Sequence, residues 1–268
     1  MKKENRSLQT EASELESVYF KLQAAWGITK HLGGAEATTE LADACRVGRE
    51  TNLLYVGSGV GISPCYLVKK YGCRLTGIDI SEEMVARSRE RAKKEEIEDR
   101  TEFRVADAQE LPFEDGTFNA VFCESVLAFV PDRQEAVNEF ARVTVPGGYA
   151  GYNEVTWLET PPPDMAAYMY RIMGAEFLTD GKWRAFLEGA GLEEIKVTPH
   201  KTNIWSQWAA EVGQFSLTDS LKAWGSYGHL FFTSPACRRF TREAMAFPKS
   251  IFHLFKYFGY GIYTGRKR

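Results

Sequence analysis

The sequence has no uninterrupted apolar run near the roughly 18–20 residues that a membrane-spanning helix needs, so stable membrane insertion is not expected. It has no C-x-x-C pair either. Cys45, Cys65, Cys73, Cys123 and Cys237 are odd in number and scattered. That argues against a disulfide framework and a structural zinc site, and no metal is expected. Small buried residues in a reducing compartment are the simpler reading of the five. An excess of positive charge is also missing: 33 basic against 36 acidic residues leave a net charge of −3. Nucleic acid is therefore not expected as a partner. Met1 to Glu16 is polar and lacks the apolar core of a secretory leader, so a cytoplasmic location is expected. Internal repeats and low-complexity tracts are absent.

What is present is an alternation. The stretch to about Val47 reads as helices, with Val18, Leu22, Ala25 and Trp26 at helical spacing, a break at Gly33-Gly34, and Leu41, Ala42 and Cys45 resuming the pattern. Leu53 to Val56 is a short apolar run ending in glycines, the mark of a buried parallel strand. Ser63 and Pro64 suit the start of the next helix. Further strands are expected at Arg74–Ile78, Phe103–Ala106, Phe118–Phe122 and Tyr149–Val155, with helices opened by Ser81 and Asp132 between them. Pro146-Gly147-Gly148 reads as a turn before the fifth strand, and Pro161-Pro162-Pro163 as a stiff linker. A helix through Trp183 to Ala190, a strand from Leu192 to Thr198, an irregular aromatic helical region and a last strand at Tyr260–Gly265 follow. Such alternation means βαβ units and a parallel sheet.

The first of these units builds a nucleotide-type turn, Gly57-Ser58-Gly59-Val60-Gly61. Glycines let the backbone approach a ligand, and the helix that follows presents free N–H groups. Asp79 ends the second strand 22 positions after Gly57, near the roughly 20 expected of a ribose-binding acid. Asp107 ends the third strand. A dinucleotide site would need glycine at position 62, which is Ile62; the third glycine stands at Gly61 instead.

With that spacing, the stretch from Val56 to Gly148 resembles class I S-adenosylmethionine-dependent methyltransferases. Val56 to Gly61 is similar to their cofactor loop, and Gly77-Ile78-Asp79-Ile80-Ser81 to their ribose-binding strand end. Val105 to Ala108 with Leu111-Pro112-Phe113 resembles the adenine-binding segment, and Phe118 to Ser125 the fourth strand beside the transferred methyl. The resemblance implies a doubly wound α/β fold with a mostly parallel seven-stranded sheet and an antiparallel last strand. It implies S-adenosylmethionine as cofactor and S-adenosylhomocysteine as product. It implies that Gly57, Ser58 and Gly59 meet the methionine part, Asp79 the ribose, Ile80 the adenine ring, and Asp107 with Ala108 the adenine edge. Glu124 and Ser125 would line the meeting place of cofactor and acceptor. The expected organisation is an N-terminal helical cap over 1–50, the cofactor domain over 51–199, a helical insertion or lid over 200–257 and the final strand over 258–268.

A small-molecule acceptor is expected because no recognition domain is visible. Methyl transfer is an in-line displacement that removes a proton when the acceptor is a weak nucleophile. His31, in the loop between N-terminal helices, and Glu154, at the end of the fifth strand, are the two catalytic candidates; His200, His229 and His253 are less favoured. A surface histidine and a solvated loop acid are the plain alternatives. The arsenite enzymes of this family use several cysteines near the acceptor, and no cysteine lies between Cys123 and Cys237. The aromatics Trp205, Trp208, Phe215, Trp224, Tyr227, Phe231 and Phe232 read as core, or as a lid that closes with Trp26 to Gly34 over the strand ends. Ile251, Leu254, Phe255 and Phe258 form a stripe beside Lys249 and Lys256, read as packed on its own domain or resting on a membrane surface. A non-catalytic cofactor-binding module and a nicotinamide-dependent oxidoreductase stay open as alternatives, and the oligomeric state is not legible.

Overall fold

The computed structural model describes residues 31–202, 225 and 227–268. Its centre is a mostly parallel sheet. β1 (Asn52–Val56), β2 (Arg74–Asp79), β3 (Thr101–Val105), β4 (Phe118–Glu124), β5 (Thr144–Trp157), β7 (Glu193–Lys201) and β8 (Phe258–Arg266) lie in the order β3-β2-β1-β4-β5-β8-β7. The short β6 (Leu178–Thr179) pairs with the end of β5 as an eighth strand. β8 runs antiparallel to both β5 and β7, as expected of the last strand.

The period-2 pattern of β1 explains why helices cover both faces. Leu54 and Val56 join one core with α4 (Arg133–Val143), α5 (Pro163–Met173) and α6 (Asp180–Gly189). Leu53 and Tyr55 join the other with α1 (Gly34–Ala44), α2 (Ile62–Tyr71) and α3 (Glu82–Lys94). Alternate residues of a strand point to opposite faces, so a strand apolar throughout must be buried on both. α3 has Glu82 and Glu83 in its first turn and Arg91, Lys93 and Lys94 in its last, matching the helix dipole at each end. Ser81 caps it by accepting from the Met84 N–H, and Asp132 caps α4 by accepting from Glu135.

Three local expectations are corrected. The helix after the glycine turn starts one residue past Gly61, whose φ of 83° makes it the N-cap, so Ser63 and Pro64 lie inside the first turn. Pro146-Gly147-Gly148 is not a turn ahead of β5 but a bulge within it: pairing slips between Phe118↔Thr144 and Ala120↔Tyr149, and Gly147 takes a φ of 80°. The triple proline does not bridge domains. Pro162 is the N-cap and Pro163 the first residue of α5, where a missing N–H is harmless.

The chain leaves the sheet at Lys201 and returns at Phe258. Lys201 pairs with Gly259, and Phe258 pairs with Trp157 at the end of β5. Both ends of the insertion therefore stand at the C-terminal edge of the parallel strands. Its described part contains a helix over 227–233, then α7 (Pro235–Met245), a 3₁₀ turn (Lys249–His253) and the single turn α8 (Leu254–Tyr257). Tyr227, Leu230, Phe231, Ala236 and Phe240 surround Cys237 in a small cluster of their own. α7 is tied to α5 by Tyr168 Oη donating to Ala244 O at 2.6 Å and by the Arg171–Glu243 ion pair at 3.3 Å. Of that stripe Ile251, Leu254 and Phe258 pack on the main core, with Tyr257 rather than Phe255 as the fourth residue there, and the segment is a broken 3₁₀–α–strand stretch rather than one helix. Trp205, Trp208, Phe215 and Trp224 lie outside the described residues, as does the cap before His31.

Candidate active site

Strand order reverses between β1 and β4: the chain first builds outward through β2 and β3, then crosses back to β4. Open α/β sheets bind ligands in the crevice at such a switch point. Val56 pairs with Cys123 there, so Gly57 and Glu124 leave the two strands side by side.

Gly57, Gly59 and Gly61 all have positive φ, at 77°, 54° and 83°, a backbone that side chains resist. Gly57 is tight as well. A Cβ on it would stand 2.3 Å from Val126 Cγ2. The Gly59 N–H donates to Asp79 Oδ2 at 2.8 Å, and Ser81 N–H to Asp79 Oδ1 at 3.0 Å. One carboxylate thus fixes the glycine turn against the end of β2. Burial raises its pKa, opposed by the N–H groups of Ser81, Gly59 and Ile80. Ser58 is buried, and Ser88 Oγ donates to Gly59 O at 2.8 Å from beneath the turn.

Beside Asp79, Ile80 is 74% exposed. Asp107 accepts from the N–H of Gln109 at 2.8 Å and Ala108 is buried next to it. Asp79, Ile80, Asp107 and Ala108 therefore follow the ends of two neighbouring strands, β2 and β3, beside the glycine turn.

Glu124 is deeply buried, and its carboxylate collects donors from three elements. Tyr55 Oη donates to Oε2 at 2.7 Å and Thr38 Oγ1 at 2.9 Å; Asn153 Nδ2 lies 3.5 Å from Oε1. His31 Nδ1 stands 3.6 Å from the same carboxylate, and its Nε2 is 3.0 Å from Ser63 Oγ on α2. Asn153 Nδ2 also donates to Leu32 O at 2.8 Å. The segment from His31 onward is therefore latched over the β1–β4 crevice. This brings His31, Glu124 and the glycine-turn helix together.

Glu154 is elsewhere. It is three residues short of the end of β5, fully buried, and not a solvated loop acid. Its Oε1 accepts the N–H groups of Val126 and Leu127, at 2.8 and 2.7 Å, capping the 3₁₀ turn Leu127–Phe129. Its Oε2 has no hydrogen-bond partner among the described residues, and burial pushes the carboxyl up to about 8 against the opposing N–H groups. Between Glu124 and Val126, Ser125 adopts a φ of 56° and donates its N–H to Asn153 O. That left-handed residue costs roughly 1–2 kcal/mol, and the two bonds to Glu154 help hold the turn that contains it. His200 stacks on Tyr260 and lies 2.9 Å from Glu40, on the outer strand.

Val126, Tyr55, Thr38 and Asn153 are the supporting residues that sequence reasoning missed. Tyr55 carried a signal: a phenol in an otherwise apolar strand requires a polar partner. Val126 carried none, because its role rests on a contact with Gly57 across the crevice.

The methyltransferase domain family matches residues 54–151. The chain is 32% identical over 190 residues to 27-O-demethylrifamycin SV methyltransferase of Amycolatopsis mediterranei (strain S699), covering 64% of this chain and 69% of that one. It is 32% identical over 169 residues to a probable chloroplastic tocopherol O-methyltransferase of Oryza sativa subsp. japonica, covering 59% of this chain and 46% of that protein. In shape it is similar to the [4+2]-cyclase SpnF, with a TM-score of 0.73, 21% identity, and coverage of 97% and 96%. Fold, glycine turn and acidic strand ends define a class I, Rossmann-like nucleoside-binding enzyme. The chain belongs to the S-adenosylmethionine-dependent methyltransferases. Its cofactor is S-adenosylmethionine, and the nicotinamide alternative is set aside.

Proposed function

We propose that the chain methylates a small molecule with an apolar body and a single nucleophilic atom. When bound, S-adenosylmethionine supplies an electrophilic methyl group for in-line displacement. The observation that carries the donor site is Asp79: its carboxylate is tied to the glycine turn and to Ser81 at the strand-order switch point, with Ile80 and Val105 open to solvent beside it. Gly57, Ser58 and Gly59 offer backbone to the methionine part, and Asp79 accepts from the ribose hydroxyls. Asp107 accepts from the adenine amino group beside Ala108. Glu124 and Ser125 border the reacting atoms.

The acceptor class follows from tocopherol and rifamycin, named for the two relatives, and from the aromatic insertion hung on the same sheet edge. We assign His31 the proton-accepting role, held by Glu124 and Ser63 at the crevice. Glu154 serves by shaping the Val126–Leu127 turn from behind, since its carboxylate is wholly inside the fold. The net charge and the five buried thiols favour a small-molecule partner in a reducing, cytoplasmic setting. Among the described residues no helix is long and apolar enough to cross a membrane.

The test is a titration of S-adenosylmethionine followed by turnover on lipophilic phenols and polyketide alcohols, with S-adenosylhomocysteine as the readout. Binding and release of that product on an apolar acceptor support the reading. Tight binding with no product across the panel would make the chain a non-catalytic binder. His31→Gln should lower turnover about a hundredfold with an unchanged cofactor Kd, the size expected of a lost general base. Equal turnover would remove His31 from the chemistry.

A further inference from the structure

Exposed apolar side chains scattered singly carry no information, but a contiguous group does. Met245, Phe247 and Phe252 are 73%, 48% and 75% exposed. They follow one another along the end of α7, the turn after it and the 3₁₀ segment, and the Phe247 and Phe252 rings meet edge-on with centroids 5.7 Å apart. The neighbours Ile251 and Leu254 face inward and pack on the main core, so the turn is anchored while its aromatic tips point out. Arg242, Lys249 and Lys256 are exposed around them. From 227 to 257 the chain carries five basic residues and a single acid, Glu243, although the whole protein has a net charge of −3. The acids at its border are engaged: Glu243 by Arg171, Glu159 by Lys256 at 3.7 Å, and Asp164 by Ser250.

We propose that this surface is a peripheral contact for an anionic lipid bilayer. Met245, Phe247 and Phe252 enter the boundary between headgroups and acyl chains, and Arg242 and Lys249 meet the lipid phosphates. Apolar tips within a basic rim match both parts of such an interface. A second copy of the chain fits less well, because a twofold contact lays the same basic rim against itself. The element that carries the patch begins and ends at the cofactor edge of the sheet.

The experiment is co-sedimentation of the full chain, with S-adenosylmethionine present, with phosphatidylcholine vesicles and with vesicles about a third phosphatidylglycerol. Pelleting is expected with the anionic vesicles at low salt and should fall as salt screens the headgroups. The double variant Phe247→Ser, Phe252→Ser should reduce pelleting to background while cofactor Kd and melting temperature stay unchanged, since both rings are exposed. Lys249→Ala should weaken partitioning about fivefold, the share of one basic residue near such a surface. No pelleting of the unaltered protein, or equal pelleting of the double variant, overturns the proposal. So does a concentration-dependent dimer that the double variant dissolves. The cofactor titration is read separately, so failure of the lipid contact and failure of the methyltransfer reading are told apart.

Discussion

The cofactor edge and the insertion border the same side of one sheet, yet they keep opposite rules. At the cofactor edge the acids are held by fixed donors: Asp79 by two N–H groups, Glu124 by two hydroxyls, and one oxygen of Glu154 by two N–H groups. Two apolar side chains at the adjoining ends of β2 and β3, Ile80 and Val105, are left open. In the described part of the insertion Phe232, Met245, Phe247 and Phe252 are out, and the private core is a few residues around Cys237. The first region is specified from within the chain. On the lipid-contact proposal, the second is specified by what it meets.

The comparison breaks if the cofactor edge tolerates change. The largest effect is expected from Asp79→Ala, which would remove the two bonds proposed to the ribose and strand the Gly59 and Ser81 N–H groups. At about 1.5–3 kcal/mol for each bond to a charged acceptor, calorimetry should show cofactor affinity down by a hundredfold or more. Affinity within threefold of the parent would take Asp79 out of the site.

Next comes Gly57→Ala. Its Cβ would meet Val126 at 2.3 Å on a backbone with φ of 77°, costing about 1–2 kcal/mol in conformation and about 1–3 kcal/mol in overpacking. Denaturant unfolding should register both costs, and adding Val126→Ala should return only the second.

Glu154 sharpens the contrast by pH. With its folded value at about 8 and an unfolded one near 4.3, the native state alone holds this proton between those limits. The unfolded chain binds fewer protons there, so stability is full below about 4.3 and declines as pH rises to about 8. Glu154→Gln keeps the acceptor for Val126 and Leu127 and should flatten the melting-temperature profile between pH 5 and 8. Glu154→Ala should instead destabilise at every pH, by about 1–3 kcal/mol for each N–H left alone. A Gln profile as steep as the parent's would assign that slope elsewhere.

The smallest effects come from exposed positions. Ile80→Ser should leave stability unchanged and weaken the cofactor about fivefold, the worth of a partly buried side chain. Phe247→Ser should change neither cofactor binding nor stability beyond about 0.5 kcal/mol; a larger loss would mean that the insertion is specified from within after all.

The half of the fold built on β1 to β4 was legible because its signals are local: apolar runs on strands buried on both faces, glycines at positive φ, and acids at strand ends. What was missed depends on neighbours. α5 was hidden behind its prolines, although Met165, Met169 and Met173 recur every four residues, which is the spacing of a helix face. β6 is two residues long and exists only through pairing with Thr156 and Trp157. Nothing in Tyr152-Asn153-Glu154 tells which acid faces water, since alternation gives the direction of a side chain but not the cover above it. The correct placement of Glu124 needed Tyr55, Thr38 and His31, which meet only when β1, α1 and the loop before α1 converge.

The sheet is almost indifferent to the length of what hangs between β7 and β8. Both attachment points sit in adjoining register, Lys201 against Gly259, so the segment is a closed loop whose ends the sheet already holds together. Doubling such a loop costs only about 0.6 kcal/mol in closure entropy. Added residues are tolerated there with little consequence for the cofactor crevice, provided the ends return to the same two strands and the contacts of Ile251, Leu254 and α7 with the main core and α5 are kept. Exchange of the segment between members of the family, with those contacts kept, then tests whether it selects the acceptor.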